Sequence, residues 1–176
     1  MAKAYGEDLL IQKSTAELLE KELGWHSVYA YDNEVLGEHG TLGRKSQREV
    51  VLTRHLRLAL KRLNPWMNEK QTTEAVERMT EYKSSQTLIQ INEEKYGYVR
   101  DGVPVTRVKP DGTTETVRAR VIDFAVADNN EFIAVRELWI KGAIHKRRAD
   151  VVCYVNGLPL VFIELKNHDQ DIQNAY

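Results

Sequence analysis

The segment DVVCYVNGLPLVFIELK, residues 150–166, decides the fold. Val151–Val155 and Leu158–Ile163 are almost continuously apolar, and Asn156-Gly157 between them is the dipeptide best suited to a two-residue hairpin turn. Runs this unbroken predict central strands buried on both faces, costly ground for an ionic side chain. Yet three charges stand at their ends. Asp150 precedes Asn156 by six residues and Glu164 follows Gly157 by seven. An antiparallel ladder therefore brings the two carboxylates near each other, and period-two alternation puts Glu164 and Lys166 on one face.

Working back from the hairpin, FIAVRELWI at 132–140 predicts another strand, followed by a basic segment holding Lys141, His145, Lys146, Arg147 and Arg148. Beside Asp150, these cations are well placed to hold a DNA backbone, against the plainer alternative of a solubilising loop. VPVTRV at 103–108 and TETVRARVI at 114–122 flank a Pro110-Asp111-Gly112 turn. Upstream the pattern turns helical. Ser14 and Glu17 have capping-box spacing and open a helix over 14–23, ending before Gly24. An aromatic, β-prone stretch over 25–31 and a loop rich in glycine (Gly37, Gly40, Gly43) follow. A second box, Ser46 and Glu49, is expected to open a helix with the apolar stripe Leu52, Leu56, Ala59, Leu60 and Leu63, ending at Asn64-Pro65. Arg54, Arg57 and Lys61 on that helix read first as its ordinary charged outer face. Weaker helical patterns cover 70–82 and 86–99. The chain thus reads as helical over 1–100 and sheet-forming over 103–167, in one domain spanning 1–176, with an α/β (α+β) fold.

At 176 residues the chain is too short for a motor or a multidomain enzyme, and 42% hydrophobic with 29% charged residues is the balance of a folded soluble domain. No apolar run reaches the roughly 20 residues of a membrane helix, and the first residues lack a signal-peptide core, so a cytoplasmic location is expected. Cys153 alone makes no disulfide and reads as a small core residue. The histidines His26, His39, His55, His145 and His168 show no zinc-ligand spacing. A net charge of −1 confines any nucleic-acid surface to a local patch. No Walker-type loop is present, so these residues are not expected to bind ATP. The polar, helical-looking end at Tyr176 carries no cap and suggests a piece of a longer polypeptide.

Two carboxylates and an ammonium at one sheet edge suit a hard divalent cation such as Mg²⁺, with water and a substrate phosphate completing its shell. The chemistry supported is metal-assisted phosphodiester hydrolysis. Set against it, Glu-x-Lys on a strand is commonly a solvated pair, and Asp before a strand is ordinary turn chemistry. The apolar flanks weigh towards a site.

The segment RRADVVCYVNGLPLVFIELKN, 147–167, closely resembles the nuclease motif of the restriction (R) subunit of type I restriction-modification enzymes. TLGRKS at 41–46, RLNP at 62–65, GVPV at 102–105, and IDF with NNEF at 122–132 resemble family segments in the same order. The resemblance implies an N-terminal endonuclease domain of PD-(D/E)xK type, a mixed sheet flanked by helices. It implies Asp150, Glu164 and Lys166 as catalytic residues, with Asp150, Glu164 and the Leu165 carbonyl as Mg²⁺ ligands. A further acidic residue on the first helix is expected, with Glu7 as candidate and an ordinary first-turn glutamate as its alternative. Ala149 stands where the family usually has proline. Gln173 and Tyr176 are three apart rather than the family's four, so they are not assigned to its glutamine-tyrosine motif. The resemblance further implies double-stranded DNA as substrate, modification and specificity subunits as partners, and ATP in motor domains beyond residue 176. A non-catalytic DNA-binding or assembly module that keeps the nuclease fold is the rival expectation, and a nuclease fused to another helicase system is a third.

Overall fold

A computed structural model describes residues 7–165, with Glu7–Ile11 described as backbone alone. The chain forms two compact units, Met1–Leu52 with Glu131–Tyr176, and Thr53–Asn130.

The first unit is built on a mixed four-stranded sheet. Strands β1 (His26–Tyr29), β4 (Phe132–Lys141), β5 (Lys146–Val155) and β6 (Leu158–Ile163) lie in the order β1-β4-β5-β6. β1 runs parallel to β4, and the other neighbours are antiparallel. Helix α1 (Glu7–Leu23) lies on one face, where Leu19, Trp25 and Ile163 pack against buried Ala134, Val151 and Cys153. Alternation sends Ile133, Val135, Val152 and Tyr154 to the other face, into a core with Ala30, Leu42, Leu52 and Leu138.

The Asn156-Gly157 turn forms as expected, with φ of 52° and 80°, the left-handed pair of a type I′ hairpin. It is buried rather than exposed. Asn156 exchanges two 2.8 Å hydrogen bonds with the backbone of Glu131, and the Gly157 carbonyl accepts the Leu52 amide. The glycine loop is pinned by Arg44, which is fully buried. Its guanidinium donates to both oxygens of Glu34, at 2.7 and 2.5 Å, and to the carbonyls of Glu49 and Trp139. Gly40 is required there, because a Cβ would lie 2.0 Å from the Val35 carbonyl oxygen.

The second unit holds α2 (Thr53–Leu63), α3 (Glu69–Thr80), α4 (Leu88–Asp101) and the hairpin β2 (Val103–Val108) and β3 (Thr114–Ala119). Leu56, Ala59 and Leu60 of the predicted stripe are buried. Capping boxes Asn68/Gln71 and Thr87/Gln90 start α3 and α4. α4 ends at Gly102, where φ is 91° and a Cβ would meet the Ala119 carbonyl at 2.9 Å.

Four expectations are corrected. The first helix begins at Glu7, not at residue 14, so Ser14 and Glu17 sit inside it. The Ser46/Glu49 spacing closes an isolated turn, in which the Lys45 amide donates to Glu49 Oε2, and helix α2 starts later at Thr53. Leu52 cannot lead that helix because its amide is bound to the hairpin turn. Finally, β6 is the outer strand of the described sheet, with Leu160, Val161 and Phe162 about half exposed, whereas β5 is buried over Val151–Tyr154. β1 also shows that sheet begins well before residue 103. No helix among the described residues is long and apolar enough to cross a membrane.

Candidate active site

The site forms where β5, the end of β6 and α1 meet. Counting from the turn, Val155 faces Leu158 and Tyr154 faces Pro159; beyond these the pairs are Cys153 with Val161, Val152 with Phe162 and Val151 with Ile163. Leu160 is left over as a bulge residue. That extra residue absorbs the difference between six and seven positions from the turn. One further step along the ladder sets Asp150 across from Glu164. Without the bulge Asp150 would face Ile163 instead.

Two hydrogen bonds fix the Asp150 carboxylate. The Leu165 amide donates to Oδ2 at 2.7 Å, and Gln12 Nε2 donates to Oδ1 at 3.1 Å. Gln12 extends the buried stripe of α1 by one turn, four residues before buried Ala16 and seven before Leu19. It is 4% exposed, and its Oε1 has no hydrogen-bond partner among the described residues. A carboxylate only accepts, so the amide must present nitrogen to Asp150, leaving the carbonyl oxygen over.

Glu164 is exposed, and Leu165 is half buried. Lys166 and His168 lie outside the described residues, as do Gln173 and Tyr176. Glu7 is the first residue of α1, and its side chain is outside the described part. Among the described residues no group of three or more His, Cys, Asp and Glu side chains converges as a metal cage.

The basic segment is largely strand. Lys146, Arg147 and Arg148 belong to β5, facing Lys141, Ile140 and Trp139. Lys141, Lys146 and Arg147 are exposed, Lys146 with its ammonium 4.1 Å from the Trp139 ring centroid. Arg148 is exposed as well, but its guanidinium is bonded to buried Glu137 at 2.5 Å and lies over Tyr31 and Trp139. In the second unit, Arg57 and Lys61 pair with Glu69 of α3.

Nothing in the sequence marked Gln12 as part of the site, because a glutamine carries no charge and the helix was expected to begin after it. The extension of the Ala16–Leu19 stripe backwards by four was the available signal.

The model of the family described as type I restriction enzyme R protein N terminus matches residues 4–176. The chain belongs to that family. It is 34% identical over 160 residues to the type I restriction enzyme HindI endonuclease subunit of Haemophilus influenzae, covering 89% of this chain and 14% of that protein. It is 25% identical over 169 residues to the putative type I restriction enzyme MjaIXP endonuclease subunit of Methanocaldococcus jannaschii, covering 94% of this chain and 16% of that protein. The chain thus spans about one sixth or less of the length of these relatives. Within the family's matched region, the TLGRKS segment carries Arg44, the buried pin of the glycine loop. IDF carries Asp123, whose carboxylate is bound by Asn129 and by the amides of Ala125 and Val126.

Proposed function

We propose that this chain is the PD-(D/E)xK endonuclease domain of a type I restriction enzyme R subunit, hydrolysing phosphodiester bonds of double-stranded foreign DNA with Mg²⁺. The observation that carries the reading is the Asp150 carboxylate held by the Leu165 amide, one residue past Glu164, in the register set by the Leu160 bulge.

The donor set fits a hard cation. Each Asp150 oxygen accepts one of these hydrogen bonds and keeps a second lone pair, Glu164 adds a second carboxylate, and Gln12 Oε1 is a buried neutral oxygen lacking a donor among the described residues. Asp150 and Glu164 would hold Mg²⁺, with the Leu165 carbonyl as a third oxygen. The bound cation supplies an acidified water and neutralises charge developing on the phosphate. Asp150 is kept in one orientation by its two donors. Lys166, two residues past Glu164, orients or deprotonates the attacking water. Lys141, Lys146 and Arg147 offer exposed cations for the DNA backbone, and Arg148 stiffens the strand that carries them. Modification and specificity subunits are the partners of the whole enzyme, whose ATP-driven motor lies beyond residue 176, in the cytoplasm.

Calorimetric titration with Mn²⁺ as a tighter-binding proxy tests the site. Binding that Asp150→Ala and Glu164→Ala each abolish is the expected result. In the whole R subunit, Lys166→Ala should eliminate restriction while ATP hydrolysis and translocation persist. Restriction that survives Lys166→Ala would replace this reading with that of a non-catalytic module retaining the fold.

A further inference from the structure

The β4–β5 ladder is regular on both sides of one missing pair. Arg136 faces Val151 and Leu138 faces Ala149, yet Glu137 and Asp150, which the register places opposite each other, do not pair. Glu137 has φ of 56°, and among the described non-glycine residues the other left-handed one, Asn156, is accounted for by the hairpin turn. A left-handed glutamate inside a strand is strained, and such strain persists where the surrounding structure enforces it. Here the enforcement is visible: Glu137 is 3% exposed and bonded to Arg148.

The kink changes which residues face the core. Before it, Ile133 and Val135 of β4 share one cluster with Val152 and Tyr154 of β5; after it, Leu138, Ile140 and Ala149 join that same cluster. Odd positions thus give way to even ones along β4, and even to odd along β5. Unbroken alternation from Tyr154 and Val152 would send Asp150 into that apolar cluster, where an unpaired carboxylate is prohibitively placed. The switch releases it to Gln12 and the Leu165 amide.

We infer that Glu137, through its left-handed backbone, is the positioning residue that turns Asp150 out of the core and into the site. This rests on the reading of Asp150 as a cation ligand, and it deepens that reading by naming what orients the carboxylate.

Four variants of the 176-residue chain separate backbone from charge. Glu137→Gly and Glu137→Asn tolerate positive φ, whereas Glu137→Ala and Glu137→Val resist it, and all four lose the bond to Arg148. Hydrogen exchange of the Leu165 amide in metal-free protein and Mn²⁺ affinity are read together. Gly and Asn should leave both within about threefold, while Ala and Val should accelerate Leu165 exchange and weaken Mn²⁺ by about tenfold, with the ladder on either side still protected. Should the Val variant fail to fold, the Ala and Gly pair decides. Equal behaviour of all four, or Gly and Asn as impaired as Ala, overturns the inference. If the unsubstituted chain binds no Mn²⁺ but Leu165 exchange still follows the series, the metal reading fails and the positioning role stands.

Discussion

The Leu165 amide donates to Asp150 Oδ2 at 2.7 Å, tying the chain just beyond β6 to the strand before the hairpin turn. That bond exists because Leu160 bulges, making the seven-residue arm of the hairpin match the six-residue arm. Inserting one residue after Leu160 lengthens that arm from seven to eight and carries Glu164 one step past Asp150, so Mn²⁺ binding should fall at least about tenfold by calorimetry. Leu160→Ala keeps the count of residues and should bind as the parent does. Equal loss in both variants would show that the side chain, not the register, matters.

Gln12 should respond to charge. In Gln12→Glu, a second carboxylate is buried beside Asp150, so the metal-free chain should melt at a lower temperature, and Mn²⁺ should restore more stability than it gives the parent. Gln12→Met removes both the donor to Asp150 and the unpartnered oxygen, and should weaken Mn²⁺ a few-fold. Thermal unfolding with and without Mn²⁺ reads both. A Gln12→Glu variant whose deficit is identical in the two conditions would place Gln12 away from any cation.

The buried Arg44–Glu34 pair predicts a large stability effect with none on the site. Removing either partner strands a charge in the core, and Arg44→Met should cost about 3–5 kcal/mol in urea unfolding. Arg44→Met combined with Glu34→Leu should recover much of that, because the second change removes the stranded carboxylate.

Asp123 carries a pH signature. The Asn129 side-chain hydrogen bond, helped by the amides of Ala125 and Val126 and by Arg120, holds its carboxyl below the ordinary value. The folded state therefore binds fewer protons than the unfolded one around pH 4, so the stabilisation is present above that region and lost as pH falls through the folded value. Asp123→Asn should melt below the parent at pH 7, and the gap should close as the buffer is taken towards pH 3. A gap independent of pH would mean that the carboxylate's charge is not what holds the loop.

The hairpin and its turn were legible in residues 150–166 because strand alternation and the Asn-Gly turn are local rules. The helices over 69–80 and 88–101 were legible to within two residues for the same reason. Ser46 and Glu49 misled because such side chains also close a single turn: here the Lys45 amide donates to Glu49 and the Arg48 amide to the Ser46 hydroxyl. Apolarity alone did not distinguish β6 from β5, since burial depends on what lies beside a strand.

By itself, then, the sequence determined the local geometry of this protein and the residue types gathered near one sheet edge. The exposed or buried status of β6, the inclusion of Gln12, the pairing of Arg148 with Glu137 and the left-handed Glu137 were decided by tertiary structure. Each depends on contacts between segments far apart in the chain: Gln12 and Asp150 are 138 residues apart, and no local propensity encodes which partners such a separation will bring together.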